Sequence, residues 1–344
     1  MSPAGHQLSS CPTPLSEEYD AALLDLDGVV YRGTEAIAHA AAALASAASA
    51  GMRLTFVTNN ASRTPEQVVA VLRSVGVDAQ PAEVATSAQA AARMLAERLP
   101  AGAPVLVIGA GGLRQAVIDA GLTPVDSAAD EPVAVVQGFS DATSYPMLAE
   151  AALAVNAGAL WVATNLDATI PTPRGMLPGN GALVAAVRHA TGATPLAAGK
   201  PERPLHDEAV RRTGALRPLV VGDRLDTDID GALAVGADSL LVLTGVTSLL
   251  ELMRVAAGRR PSYVGTDLRA LLHAHESVES SDGVTRCGPA TASVHDGVLT
   301  VDPGAGLPPE ASATAALRAA CASGWQALDA GAAVHAITGL PAIT

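Results

Sequence analysis

The stretch that decides the fold is Asp25-Leu26-Asp27-Gly28-Val29-Val30-Tyr31. It overlaps the end of the apolar segment Tyr19–Leu26, which is typical of a buried strand. Asp25 and Asp27 are therefore expected at the carboxyl end of a strand, where open α/β sheets bind ligands. Gly28 allows the chain to turn away sharply after the two carboxylates. An ordinary Asp-Gly turn is the alternative interpretation of the same residues.

Outward from this stretch, short apolar strands alternate with helical segments. The pattern predicts a helix over Ile37–Ala50 and a second helix that starts at Thr64-Pro65-Glu66-Gln67, with Thr64 as its N-cap. Strands are predicted at Arg53–Thr58, Val105–Ile108, Val133–Gln137, Leu160–Thr164, Leu219–Gly222 and Leu240–Leu243. Such alternation predicts an α/β fold with a doubly wound parallel sheet.

Three further polar motifs follow predicted strands or lie in strand-to-helix loops. Thr58-Asn59-Asn60 offers a hydroxyl, side-chain amides and backbone N–H groups that could receive phosphate oxygens. Gly199-Lys200-Pro201 holds a lysine in an extended loop, where it could neutralise a phosphate. Taken singly, the first motif is more typical of a polar loop or a helix N-cap, and the second of a solvated lysine.

The last motif is Gly222-Asp223-Arg224-Leu225-Asp226-Thr227-Asp228, in which a buried strand leads into three carboxylates. Clustered carboxylates repel one another unless a cation or a proton joins them. Oxygen ligands of this kind suit Mg²⁺. An acidic helix N-terminus is the alternative interpretation, and we expect it to apply to Asp226.

In one parallel sheet, all four motifs would meet at the same edge. Together they supply one free carboxylate, one acid/base carboxylate, a hydroxyl–amide cradle, a lysine and an acidic metal site. This combination predicts phosphoryl transfer through an aspartyl-phosphate.

The runs DLDGVVY, TNNASRT, GKP and GDRLDTDI resemble the four ordered motifs of haloacid-dehalogenase-type (HAD) phosphatases. The resemblance covers about residues 18–270. It is specific for the branch with a large α/β cap between the second and third motifs, which includes NagD-like, 4-nitrophenylphosphate and phosphoglycolate phosphatases. The cap segment of this branch is also similar to Thr164-Asn165-Leu166-Asp167 followed by Pro178-Gly179-Asn180-Gly181.

The resemblance implies a role for each matching residue. Asp25 would be the nucleophile, and Asp27 would protonate the leaving oxygen and later activate water. Thr58, Asn59 and Asn60 would hold the phosphoryl group, while Lys200 would offset the negative charge of the phosphate and of Asp25. Asp223 would bind Mg²⁺ together with the Asp25 carboxylate and the Asp27 backbone carbonyl. Asp228 would act through water or as an orienting group.

The resemblance also implies a domain plan. We expect a Rossmann-like HAD core at residues 18–86 and 195–275, with an inserted C2-type α/β cap at 87–194. A Ser- and Pro-rich flexible tail is expected at 1–17. Residues 276–344 form a small α+β extension: the alternation of Ala290–Val301 around Asp296-Gly297 predicts a hairpin, and Ala311–Ala330 a helix. This extension should pack on the rest of the chain or pair with another copy. The sequence therefore does not decide between a monomer and a homo-oligomer.

Composition excludes several other classes. The net charge is −13 and aromatic residues make up 2%, which argues against nucleic acid as a partner. With 49% hydrophobic and 16% charged residues, the chain is not generally disordered. The longest charge-free runs are rich in alanine and predict no membrane span, and no secretory signal is present. The three widely spaced cysteines predict neither a zinc site nor a disulfide framework, and a reducing cytoplasm is the simplest location.

The expected activity is therefore Mg²⁺-dependent hydrolysis of a small phosphate monoester. Glycerol 3-phosphate is the favoured substrate, because the segment Asp167–Arg174 offers few charged partners for a second anionic group. Phosphoglycolate and 4-nitrophenyl phosphate are the alternatives. A non-catalytic sugar-phosphate binding protein and a phosphate-switched receiver domain are the interpretations from other classes; the Asp25/Asp27 pair on one strand and the cap argue against the receiver.

Overall fold

The computed structural model describes residues 8–172 and 174–341, and these residues form α-helices and β-strands that alternate along most of the chain. The helices are α1 (Leu15–Glu18), α2 (Ala40–Ser49), α3 (Pro65–Ser74), α4 (Ser87–Ala96), α5 (Gly111–Asp119), α6 (Tyr145–Asn156), α7 (Asn180–Thr191), α8 (Arg203–Thr213), α9 (Asp230–Val235), α10 (Leu249–Met253) and α11 (Pro309–Asp329).

The strands are β1 (Ala21–Leu24), β2 (Tyr31–Arg32), β3 (Glu35–Ala36), β4 (Arg53–Thr58), β5 (Val84–Thr86), β6 (Pro104–Ile108), β7 (Thr123–Val125), β8 (Ala134–Gln137), β9 (Leu160–Ala163), β10 (Thr169–Thr172), β11 (Gly175–Pro178), β12 (Leu196–Ala197), β13 (Pro218–Gly222), β14 (Asp238–Val242), β15 (Tyr263–Gly265), β16 (Val278–Ser281), β17 (Val284–Cys287), β18 (Ala290–His295), β19 (Val298–Asp302) and β20 (Ala336–Thr338).

The chain divides into two compact units. The first comprises the described residues up to Thr55, residues 75–77 and those from Thr213 onward; the second comprises residues 56–74 and 78–212. Each unit contains parallel strands with flanking helices, so the predicted α/β fold class is confirmed. The predicted domain boundaries after residues 86, 194 and 275 stay a prediction.

The sheet of the first unit brings the acidic motifs to one edge. Strands β15, β14, β13 and β1 lie side by side and all pair in parallel, with Leu24 opposite Val221. All four residues of β1 are buried, which is why this apolar segment forms a central strand. Because β1 and β13 run in the same direction, Asp25 and Asp223 leave the sheet at the same edge.

The second unit has its own parallel sheet, in the order β12-β9-β8-β6-β7. The end of β4 pairs in parallel with β5, which places Thr58 opposite Thr86. The helix that follows β4 begins as predicted, since Thr64 and Gln67 form a capping box, with Thr64 N to Gln67 Oε1 at 2.9 Å. Strands β10 and β11 form a separate antiparallel hairpin.

The C-terminal residues of the first unit form a second sheet covered by α11. Strands β16 to β19 are antiparallel and β20 pairs in parallel with β19. The predicted hairpin is present, since His295 pairs with Val298 and both Asp296 and Gly297 have positive φ. The polar segment Val278–Ser281 contributes the edge strand β16.

The N-terminal segment differs from the flexible tail expected at residues 1–17. Leu8, Cys11 and Leu15 are buried, and Cys11 exchanges two backbone hydrogen bonds with His275, at 2.7 and 2.8 Å. The apolar side chains of this Ser- and Pro-rich segment thus pack on the first unit. The expectation of flexibility is wrong for residues 8–17, and residues 1–7 lie outside the described part of the chain.

Candidate functional site

The first unit contains a group of three carboxylates at the carboxyl edge of its sheet. One oxygen each of Asp25, Asp223 and Asp228 lies within 4.8 Å of the other two. Asp25 follows β1 and Asp223 follows β13, while Asp228 lies in a π-helical turn at Leu225–Ile229. Asp223 and Asp228 are almost fully buried.

Glycines and backbone amides fix the two buried carboxylates. Val246 N donates to Asp223 Oδ2 at 2.6 Å, and Arg224 N donates to Asp228 Oδ2 at 3.1 Å. A Cβ at Gly245 would lie 1.9 Å from Asp223 Oδ2, and one at Gly222 would lie 2.2 Å from the Asp228 Cβ. The backbone therefore approaches both carboxylates as closely as only glycine permits.

The chemistry of this donor set fits Mg²⁺. Three carboxylates this close repel one another unless a cation neutralises them, and Mg²⁺ prefers hard oxygen ligands of this type. Asp226, from the same acidic run, stays outside the group: its side chain is 62% exposed and pairs with Arg224. The interpretation of Asp226 as part of an acidic helix N-terminus stays a prediction.

Asp27 occupies a tight turn beyond β1. Its side chain is exposed, and its Oδ1 accepts the Gly33 N–H at 3.3 Å. The turn needs Gly28 at φ +89°, where a Cβ would also lie 2.5 Å from Asp223 Oδ2. The Asp27 carboxylate is not in the group of three, in keeping with a metal contact through its backbone carbonyl.

The second unit brings together the residues predicted to bind phosphate. Thr58 ends β4, and its Oγ1 accepts the Asn60 N–H at 3.1 Å. The Asn59 side chain faces the Lys200 backbone: Oδ1 accepts the Lys200 N–H at 2.8 Å and Nδ2 donates to the Lys200 carbonyl at 3.1 Å. A Cβ at Gly199 would lie 2.5 Å from Asn59 Oδ1, so a glycine is needed at that position. Thus Thr58, Asn59, Asn60 and Lys200 form one connected group.

Sequence reasoning did not assign a role to three residues that contact this group. Asp167 accepts from Asn59 Nδ2 at 3.2 Å, while Ser87 Oγ and Asn165 Nδ2 both donate to the Asn59 carbonyl. The Thr164–Asp167 segment had been noted as typical of the family, which was a signal for Asn165 and Asp167. Nothing in the sequence around Ser87 indicates its contact.

His206 was also missed, although it lies near Lys200. It is almost fully buried on α8, and burial, followed by the charge of Lys200, lowers its pKa to about 3. Among the residues that the structure describes, neither ring nitrogen has a hydrogen-bond partner. The imidazole is therefore neutral at physiological pH.

Parallel strands with clustered carboxylates at their carboxyl ends are typical of metal-dependent α/β enzymes. Residues 22–123 match the family model for haloacid dehalogenase-like hydrolases, and residues 197–271 match a second, HAD-hydrolase-like model. The chain belongs to the haloacid dehalogenase-like hydrolase family.

Three comparisons place it more closely. The chain is 51% identical to the D-glycerol 3-phosphate phosphatase of Mycobacterium tuberculosis over 257 residues, which are 75% of this chain and 72% of the relative. It is 42% identical to an acid sugar phosphatase of Staphylococcus aureus over 236 residues, 68% of this chain and 90% of the relative. A crystal structure of a glycerol phosphate phosphatase from M. tuberculosis in complex with magnesium matches 94% of both chains, with a TM-score of 0.81 and 43% identity. The predicted family and enzyme class, a phosphoric monoester hydrolase, are confirmed.

Within residues 8–172 and 174–341, no helix is both long and apolar enough to cross a membrane.

Proposed function

We propose that this protein is a Mg²⁺-dependent phosphatase that hydrolyses glycerol 3-phosphate to glycerol and phosphate. The observation that carries the proposal is the group formed by Asp25, Asp223 and Asp228, whose oxygens lie within 4.8 Å. The 51% identity to a D-glycerol 3-phosphate phosphatase supports the choice of substrate.

Asp25 is proposed as the nucleophile. One of its carboxylate oxygens attacks the phosphorus atom, the bond from phosphorus to the ester oxygen breaks, and Asp27 gives its proton to the leaving oxygen to form glycerol. Asp27 then accepts a proton from water, and the water oxygen attacks the phosphorus of the acyl phosphate. This second step releases inorganic phosphate and restores the Asp25 carboxylate.

Asp25, Asp223, Asp228 and the Asp27 backbone carbonyl are proposed to hold Mg²⁺. When bound, the ion supplies positive charge that offsets the carboxylates and the phosphoryl oxygens. The hydrogen bond from Val246 N to Asp223 Oδ2 orients this carboxylate.

Thr58, Asn59, Asn60 and Lys200 are proposed to bind the phosphoryl group. The Thr58 hydroxyl donates to its oxygens and the Lys200 ammonium contributes charge, while the Asn60 N–H is engaged by Thr58 Oγ1. The Asn59 side chain forms hydrogen bonds with the Lys200 backbone. Its proposed role in phosphate binding is therefore to hold the loop that carries Lys200 close to the loop after β4.

The segment between Asp167 and β11 is proposed to contact the rest of the substrate. Ala168 and Thr169 are exposed, and the β10–β11 hairpin presents Met176 with 62% of its surface exposed. Such a surface favours an uncharged polyol over a second anionic group, although Arg174 is exposed on the same hairpin. Pro173, part of the same expectation, lies outside the described residues.

The proposal also includes a cytoplasmic location and a homo-oligomer. All three cysteines are buried and unpaired, which supports a reducing compartment.

The test is phosphate release with Mg²⁺ from a panel of small esters: both glycerol 3-phosphate enantiomers, phosphoglycolate, pyridoxal phosphate and 4-nitrophenyl phosphate. We expect the highest kcat/KM for one glycerol 3-phosphate enantiomer. A higher value for phosphoglycolate would contradict the substrate, and no release from any ester would contradict the phosphatase.

A further inference from the structure

Two buried side chains of the second unit converge on one backbone carbonyl. Ser87 Oγ donates to Asn59 O at 2.6 Å, and Asn165 Nδ2 donates to the same oxygen at 2.7 Å. Ser87 is the first residue of α4 and is fully buried, while Asn165 follows β9 and is 5% exposed. Donors from two separate segments thus saturate the two lone pairs of this oxygen.

The other end of the same peptide contacts a residue proposed to bind phosphate. A peptide unit is planar, so fixing the Asn59 carbonyl also fixes the direction of the Asn60 N–H. That N–H donates to Thr58 Oγ1 at 3.1 Å. A hydroxyl that accepts one hydrogen bond in this way must direct its own proton elsewhere.

The two donors are themselves held in place. Asn165 Oδ1 accepts the Asp167 N–H at 3.2 Å, which orients the amide so that Nδ2 faces Asn59. Asn180 Nδ2 donates to the Asn165 carbonyl at 2.7 Å. Ser87 directly follows Thr86, the strand partner of Thr58, so its position is tied to β4.

We propose that Ser87 and Asn165 are positioning residues that aim the Thr58 hydroxyl proton at the substrate phosphoryl group, acting through the Asn59–Asn60 peptide. The inference rests on the proposed function, because it requires Thr58 to bind phosphate. Neither side chain touches the substrate; each acts by preventing rotation of one peptide plane.

The test uses the full chain with Mg²⁺ and measures KM for glycerol 3-phosphate and the inhibition constant of inorganic phosphate. Ser87→Ala removes one donor with minimal change of volume, and Asn165→Asp removes the other while keeping the acceptor for the Asp167 N–H. We expect each variant to raise both constants about five- to tenfold, the effect of losing about one hydrogen bond. Ser239→Ala is the matched control, because Ser239 is a buried serine of the first unit that also makes one backbone contact, to Ser262 N.

A double-mutant cycle separates positioning from a general structural effect. In a Thr58→Val background the hydroxyl is absent, so Ser87→Ala and Asn165→Asp should raise the phosphate inhibition constant no further. Additive effects in that background, or unchanged constants in both single variants, would overturn the inference. If Asn165→Asp does not fold, Ser87→Ala decides alone. A wild-type chain that neither hydrolyses esters nor binds inorganic phosphate would instead overturn the proposed function and the inference with it.

Discussion

Asp223 is closely confined, since a backbone amide and two glycines surround it. We expect Asp223→Asn to weaken Mg²⁺ binding by about 10-fold or more, as is usual for changes around a metal site. The reason is that the amide lacks the charge that the ion compensates. Mg²⁺ stabilises the folded chain by mass action, so the rise in Tm on adding Mg²⁺ should shrink in parallel. Asp226→Asn is the control. An equal loss of Mg²⁺ affinity in Asp223→Asn and Asp226→Asn would contradict the proposed metal site.

Gly245 provides a second test at the residue scale. A Cβ there would lie 1.9 Å from Asp223 Oδ2, so Gly245→Ala must displace that carboxylate. We expect lost Mg²⁺ affinity together with a destabilisation of about 1–3 kcal/mol, typical of overpacking. Gly258→Ala is matched to it, because a Cβ at Gly258 would meet nothing within 4 Å. Isothermal titration with Mg²⁺ and urea unfolding measure the two effects, and a Gly245→Ala variant with wild-type Mg²⁺ affinity would contradict this packing.

His206 makes stability depend on pH. Its folded pKa is lowered to about 3, first by burial and then by the Lys200 charge, whereas a histidine in an unfolded chain titrates near pH 6.5. Between these values the unfolded chain binds a proton that the folded chain excludes, so stability falls as pH falls. As pH drops from 6.5 to 4.5, the free energy of unfolding of His206→Leu should therefore fall by about 1 kcal/mol per pH unit less than that of the wild type. Urea unfolding at several pH values tests this, and parallel curves for both proteins would contradict it.

The clustered carboxylates were easier to predict at this scale than the residues that hold them. Asp25 and Asp223 follow apolar strands, and strand direction alone brings them to one edge. Asp228 follows in the π-helical turn at Leu225–Ile229. Ser87 and Val246 contact residues that are distant from them in sequence, and no local sequence pattern encodes such contacts. The buried His206 lies next to Leu205 on the buried face of α8, and no motif in the sequence marked it as a residue near Lys200.

At the scale of elements, α11 joins the C-terminal sheet to the rest of the first unit. Trp325 is buried in an apolar cluster with residues of β14, β15 and α10, and its Nε1 donates to the Leu252 carbonyl at 2.8 Å. Arg260 stacks on its ring at 5.0 Å and pairs with Asp329. The extension is thus part of one continuous core.

We expect Trp325→Ala to destabilise the protein by about 3–5 kcal/mol, as for other buried aromatic truncations. The neighbouring Gln326 is exposed, so Gln326→Ala should change stability by less than about 1 kcal/mol. Urea unfolding of both variants provides the measurement. A small effect of Trp325→Ala would mean that the helix does not support the core.

Elements with a strong local signal matched their predictions, and those that depend on tertiary contacts did not. The helix at Thr64 and the hairpin at Asp296-Gly297 carry capping and turn residues that act locally. The strand β16 is polar along most of its length and forms because β17 offers an edge for pairing. Residues 8–17 likewise become ordered through contact with His275, which lies more than 250 positions away.

At the scale of the whole molecule, the proposed metal ligands and nucleophile belong to the first unit, and the residues proposed to bind phosphate belong to the second. Each group is connected within its own unit by the contacts described above. We expect loss of either group to abolish turnover.

The most direct test is Mg²⁺-dependent phosphate release from glycerol 3-phosphate by the wild-type chain and by Asp25→Asn. We expect turnover by the wild type that chelation of Mg²⁺ abolishes, and a fall of at least about 10³-fold in kcat for Asp25→Asn, since the amide cannot form the acyl phosphate. Full Mg²⁺-dependent turnover by Asp25→Asn would show that Asp25 is not the nucleophile.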